Sequence, residues 1–576
     1  MKQSKLFFAD LAAHHNPNNH PPGINMQIES NRQVLYNARI YTMDEREPFV
    51  SALVIEGGKI FRYGDQDSIT SQYKGSSTHI DLGGKTIIPG LIDAHIHLQH
   101  FALSLQRVDC ETSTQGDCIQ NVSDKVAGAT AGDWILGHGW NQNEWPEGFG
   151  DASLLDQIAP ENPVYLTAKS LHAAWVNSIA LNKAGITALT ADPPGGQIQR
   201  QPDGSPTGIL FETAMSLVSD IIPKPSINHV SQAIEEAQTI LWKLGITGAH
   251  DFDRRTCFAA LQVLHTANKL KLRVTKSLPI ESLQEAVDLG LRTGFGDDFL
   301  RIGSVKAFAD GALGPRTAAM LQPYEGEPKN RGLLMLDGEE LVEKGRLAVD
   351  NGLSLAVHAI GDSANHEVLR AYERLRIYER KQQSDRSTQI SGSNLRHRIE
   401  HVQIIHPDDL PRLAELDVIA SMQPIHATAD FPTADQFWGS RSRSAYAWNS
   451  LLEMGTRMAF GSDAPVESPN PFWGLHAAVT RRRANGSPGP EGWYPEQKIS
   501  LTSALQGFTN GAAYAAGMEN RLGKLAPGYH ADLLVLDQDP FKVAPEQLRD
   551  MLPLATMVAG EWVYQDPQIE AVTSTS

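Results

Sequence analysis

Cysteine is nearly absent: Cys110, Cys118 and Cys257 are the three thiols in a chain of 576 residues. Three are too few for a disulfide framework, and no C-x-x-C spacing offers a thiolate zinc knuckle. So thiol-poor a chain suits a reducing, cytoplasmic compartment. Positive charge is also in deficit. Lys and Arg total 50 against 67 Asp and Glu, a formal net charge of −17. A surface of that sign excludes nonspecific nucleic-acid binding, which needs cations against phosphates. No run of 18 apolar residues occurs, which excludes a membrane-spanning helix.

The N-terminus lacks order-forming pattern. LFFADLAA is too short for a secretory apolar region, and HHNPNNHPPG is rich in helix and strand breakers. Residues 1–32 are expected to form a solvated tail, with a second tail at 566–576. The stretch KQQSDRSTQISGSN at 381–394 is expected to be a surface loop.

What is present is β structure at both ends and alternation between. QVLYNARIYTM and SALVIEGGKIFRY are strand-like, the second with a Gly57-Gly58 hairpin signal, and 77–89 reads as a further short strand pair. HADLLVLDQDP and LPLATMVAGEWVYQ return to strand pattern after residue 530. Residues 33–89 and 520–565 are therefore expected to build one composite β-sandwich. From LIDAHIHL onward, and again from residue 229, strands alternate with amphipathic helices. Eight strands result, which means an α/β fold with a parallel sheet closing as a (β/α)8 TIM barrel over 90–105 and 229–519. Residues 106–228 exceed what one crossover helix needs. They are expected to be an insertion after strand one, on the face where barrel active sites lie.

In LIDAHIHLQH, residues 91–100, His95 and His97 stand two apart. With 20 histidines, chance alone gives an H-x-H on the order of once per chain. Position adds the information. On a strand, residues i and i+2 share a face about 6–7 Å apart, so two imidazoles can converge on one ion. Strand four places Lys306 among apolar residues, where an unpaired ammonium is costly. Strand five ends at His358, strand six at His401, strand eight at Asp463. Each has a bland reading: a core histidine, half of a buried ion pair, a turn cap. Recurrence at one rim on five strands favours a metal site.

PGLIDAHIH (89–97), KAFADGALGPRTA (306–318), HAIGD (358–362), IEH (399–401), GSDAPV (461–466) and GKLAPGYHADLLVLD (523–537) occur in order. Between the first two lie GHGWNQNEWP (137–146), HAAWVNSIAL (172–181), PPGGQI (193–198) and DGSPTGILFE (203–212). The chain thereby resembles the amidohydrolase superfamily, in particular its YtcJ-like branch, which includes N-substituted formamide deformylase. The resemblance spans about residues 33–565. It implies a metal-dependent hydrolase of non-peptide C–N bonds, acting on an N-substituted amide or formamide through an ion-activated hydroxide. His95 and His97 would bind the more buried metal, and His358 and His401 the second. Lys306 would be carbamylated and bridge two divalent ions, and Asp463 would bind the first ion and shuttle protons. Asp463, Lys306 and His401 are then the catalytic candidates. Nitrogen and oxygen ligands without thiolate suit zinc.

The substrate is expected to be a small molecule, with no nucleic acid or membrane partner and a homodimer as candidate assembly. Trp140, Trp145 and His172 of the insertion and Arg316 after strand four are candidate substrate contacts. Their competing readings are core packing for the indoles, loop bracing for His172 and a loop-ordering ion pair for Arg316. Asp310 reads equally as a turn residue. A lactone, carbamate or deamination substrate is the alternative within enzymes. A noncatalytic barrel scaffold is the alternative of another class.

Overall fold

The barrel strands are β1 (Leu91–Ile96), β2 (Ile246–Asp251), β3 (Arg273–Pro279), β4 (Leu300–Phe308), β5 (Leu355–Ala359), β6 (Arg398–His401), β7 (Ile419–Met422) and β8 (Met458–Phe460). They come from a computed structural model that describes residues 32–142, 145–169, 172–385 and 395–567. All but one residue of the expected tail at 1–32, and all but two of that at 566–576, lie outside the described residues.

Neighbouring strands pair in parallel from β1 through β8. Nearly all their residues are buried, as in a parallel sheet covered by helices. The seam between β8 and β1 is bridged just past β8. Asp463 N–H donates to His95 O at 2.7 Å, and His97 N–H to Ala464 O at 2.9 Å. Asp93 reinforces it, accepting from Ser462 N–H at 3.0 Å and the Ser462 hydroxyl at 2.5 Å. The barrel thus closes through residues flanking the candidate ligands.

The covering helices follow ordinary rules. In the helix Ile227–Lys243, Ser226 caps the His229 N–H, while Val230, Ala233, Ile234, Ala237 and Leu241 bury one face. Among the helices that escaped the sequence pattern are Pro424–Trp438 and Pro471–Thr480. Pro432 interrupts the first, and the second is buried on almost every side, so neither shows a one-sided apolar stripe. The helix Asp362–Asp385 runs five residues into the polar stretch at 381–394, and residues 386–394 lie outside the described residues. Lys381, Gln382 and Gln383 are good helix formers, so polarity alone did not end the helix at residue 381.

Strands from both chain ends join one eight-stranded sheet, in which Leu533–Leu536 pairs antiparallel with Thr78–Pro89. The hairpin at Gly57-Gly58 forms as its signal implies, both glycines at positive φ. The stretch 77–89 is a single twelve-residue strand, not a strand pair. Its Gly83-Gly84 step faces a bulge at Asn37 in the partner instead of turning the chain. Residues 108–212 carry a separate six-stranded sheet with its own apolar clusters. Among the described residues, no helix is long and apolar enough to cross a membrane.

Candidate metal centre

His95, His97 and Asp463 converge at the C-terminal rim of the barrel. Asp463 Oδ1 lies 3.6 Å from His95 Nε2 and 3.4 Å from His97 Nε2. His401 is packed against both sides of the site, its ring centroid 4.8 Å from that of His95 and 4.5 Å from that of His358. Ligand atoms of His95, His97 and Asp463 fall within 4.8 Å of one another, as do those of His401, His426 and Asp463.

The histidines are held by outer partners that decide which nitrogen faces inward. His95 Nδ1–H donates to Glu400 Oε2 at 2.6 Å, His97 Nδ1–H to Asp253 Oδ1 at 3.0 Å, and His401 Nδ1–H to Gln423 Oε1 at 2.8 Å. With the ring neutral, each bond leaves Nε2 with its lone pair toward the centre, the arrangement metal-binding imidazoles use. His358 is reversed. Its Nε2–H donates to the Gly311 carbonyl at 3.0 Å, so Nδ1 is its lone-pair nitrogen.

Electrostatics fit a cation. Burial, and then the Lys306 ammonium, push His95 down to about 4. Burial likewise pushes His358 down to about 3, so both are neutral bases at neutral pH. Burial works to raise the Asp463 carboxyl, but His97, His95 and His401 around it hold it well below the usual carboxylate range. Lys306 is 4 % exposed, and its Nζ has no hydrogen-bond partner. It lies 4.7 Å from the Phe252 ring centre and 4.9 Å from that of Phe308. Burial pushes it down to about 8, against Glu400 and Asp463, which favour its charge. An orphaned buried amine beside convergent imidazoles and a carboxylate is a donor set that fits divalent ions.

Residues 78–564 match the profile described as Amidohydrolase family. The chain belongs to that family. Protein LONG AFTER FAR-RED 3 of Arabidopsis thaliana is 34% identical, over 92% of this chain and 91% of its own. Putative amidohydrolase YtcJ of Bacillus subtilis is 32% identical, over 93% and 99%. N-substituted formamide deformylase of Arthrobacter pascens is 28% identical, over 92% and 98%. An uncharacterized metal-dependent hydrolase from Pyrococcus furiosus superposes with a TM-score of 0.73 at 29% identity, covering 89% of this chain and all of that one. This amidohydrolase is accordingly a metal-dependent hydrolase acting on carbon–nitrogen bonds. The noncatalytic scaffold is set aside.

The amidohydrolase differs from the sequence reading at the substrate candidates. Trp140 and Trp145 are buried in the insertion's own core, stacked at 6.1 Å. Their indole N–H groups donate to the carbonyls of Leu166 and Thr112. Their surfaces are engaged in packing, the competing reading given to the indoles. His172 is exposed and paired with Glu212 at 3.0 Å. Arg316 pairs with Glu327 and lies over the Phe437 ring at 5.0 Å, the loop-ordering role. Asp310 accepts from the N–H groups of Ala319, Ile360 and Gly361, so it braces the loops after β4 and β5.

Sequence reasoning missed Asp253, Glu400, Gln423 and His426. Glu400 lay inside the IEH motif, and His426 follows β7 by four residues, a rim position the barrel frame alone marks out. Asp253 had no local signal. It accepts from the Gln99 and His100 N–H groups at 2.6 and 3.2 Å as well as from His97, from 154 residues downstream of Gln99.

His97 carries a pH signature. Burial lowers its pKa, but Asp253 and Asp463 outweigh that and raise it to about 9. In the metal-free chain this proton adds stability that is fully present below the ordinary imidazole value of about 6.5 and is lost as pH rises through about 9. A metal must displace that proton. Loading the metal-free chain at pH 7 is therefore expected to release a proton from His97, with affinity rising up to about pH 9. Calorimetry in buffers of different ionisation enthalpy measures this, and proton-neutral binding would contradict it.

Proposed function

We propose that this amidohydrolase cleaves the C–N bond of a small N-substituted amide or formamide. The observation that carries the reading is the convergence of His95, His97 and Asp463 beside the unpartnered amine of Lys306. The formamide deformylase relative, 28% identical, supports the substrate class.

His95 and His97 through Nε2, with Asp463 Oδ1, would hold one divalent ion. His401 through Nε2 and His358 through Nδ1 would hold a second. Lys306 would bridge them as a carbamate. Its depressed basicity leaves neutral amine to add to CO2, with loss of one proton, and converts an orphaned cation into an anionic ligand. The oxygen and nitrogen donors suit zinc. Such ions supply Lewis-acid polarisation of a carbonyl and a water acidic enough to attack near neutral pH.

The two oxygens of Asp463 divide the remaining work. Oδ1 is nearest His95 and His97, and Oδ2 is nearest His426. Oδ2 accepts the proton of the attacking water and returns it to the amine nitrogen as the C–N bond breaks. Glu400 and Asp253 keep the imidazoles aimed, so the site needs little rearrangement during the reaction.

Metal content by plasma mass spectrometry tests the centre. Wild type grown with zinc and bicarbonate should carry two ions per chain, and Lys306→Ala should lose one. Unchanged content in Lys306→Ala refutes the bridging carbamate. A panel of N-alkyl and N-aryl formamides and acetamides tests the substrate class, which fails if the metal-loaded chain turns over none of them.

A further inference from the structure

His426 is a buried imidazole at the rim that the roles above leave unused. It opens the helix Pro424–Trp438, whose first turn sits directly after β7. It is 5 % exposed, and its Nε2 has no hydrogen-bond partner. Nε2 lies 3.9 Å from Asp463 Oδ2, too far for a hydrogen bond. On the other side of the ring, Gln403 Nε2–H faces Nδ1 at 3.4 Å. With Gln403 donating there, the lone pair belongs to Nδ1 and the proton of the neutral ring to Nε2. A buried N–H donor is thus aimed into the site, next to the Asp463 oxygen that His95 and His97 do not engage. The helix contributes in the same sense. Gln423 at its N-cap makes no side-chain cap, and the N-terminal end of a helix favours negative charge.

We infer that His426 is a further catalytic residue, whose Nε2–H donates a hydrogen bond to the substrate carbonyl oxygen as that oxygen gains negative charge. The proton stays on Nε2 throughout, so no bond forms or breaks at the ring. A preorganised donor in a buried site acts on the oxygen as it develops charge, and so on kcat more than on binding of the amide. The inference rests on the amide-hydrolysis reading. It differs from a ligand role, which the nearness of His401 and Asp463 would also allow.

The test compares the metal-loaded full chain with His426→Ala and His426→Gln. Expected for His426→Ala are metal content at the wild-type level, KM within a few-fold, and kcat lower by about 100-fold or more. His426→Gln, which retains an N–H donor, should recover part of that loss. Methylphosphonate, a tetrahedral oxyanion, serves as a probe independent of substrate choice. Its affinity by calorimetry should fall about tenfold or more in His426→Ala. Loss of an ion from His426→Ala overturns the inference in favour of a ligand role. Unchanged kcat overturns it outright, and so does methylphosphonate binding that is equal in both chains or undetectable in wild type. A wild-type chain that holds metal and binds methylphosphonate but hydrolyses no amide removes the amide reading and leaves the donor role of His426 standing.

Discussion

Asp463→Asn lowers kcat by about 10⁴-fold while the chain remains folded. The substitution is chosen for the backbone. Asp463 has φ +61°, a left-handed conformation that Asn tolerates and most other side chains do not. The N–H that closes the seam onto His95 O is untouched. What disappears is charge and basicity. An amide cannot accept the proton of the attacking water, and it is a poorer partner for the surrounding histidines. The measurement is steady-state turnover alongside a thermal melt. Wild-type turnover in this variant would end the proton-shuttle role, and a collapsed melt would show that the residue is structural first.

The second large effect is on stability. Glu400→Ala destabilises the metal-free chain by about 4 kcal/mol. Glu400 is fully buried, and its carboxylate accepts from Arg398 Nη2 at 3.0 Å and from His95 Nδ1 at 2.6 Å. Burial disfavours its charge, yet Arg398, and then His95, hold it well below the ordinary Glu value. Removing it strands the Arg398 guanidinium, whose remaining partners include the Ala94 carbonyl and the imidazole of His250, neither of them anionic. It also frees the His95 ring to rotate, so affinity for the first ion should fall about 10- to 100-fold. Denaturant unfolding of the metal-free chain measures the first effect and metal titration the second. A stability change under about 1 kcal/mol would mean that Arg398 is neutralised by other means.

Much of this was readable in order along the chain. Most barrel strands are rich in apolar residues and their helices amphipathic, so period and run length announce them. His95, His97, His358, His401 and Asp463 each sit at or just past a strand's C-terminal end, which the alternation locates without coordinates. Lys306 stood out as an ammonium in an apolar run. The helix at 424–438 was hidden because Pro432 interrupts it, and that at 471–480 because burial on almost every side leaves no polar face to set the phase. For Trp140 and Trp145 the sequence left two readings open, because an indole lining a pocket and an indole in a core have the same sequence signature.

The sequence by itself determined which side chains reach the rim, because strand direction and the period of two place them there. Tertiary structure alone decided how they are aimed. Asp253 reaches His97 across 156 residues, Glu400 reaches His95 across 305, and Gln423 turns His401 from the next strand's end. Imidazole orientation depends on which nitrogen finds a partner, and that partner is set by closure of the barrel, not by anything adjacent in the chain. The same closure brings His426 to the free oxygen of Asp463, a pairing that no local pattern encodes.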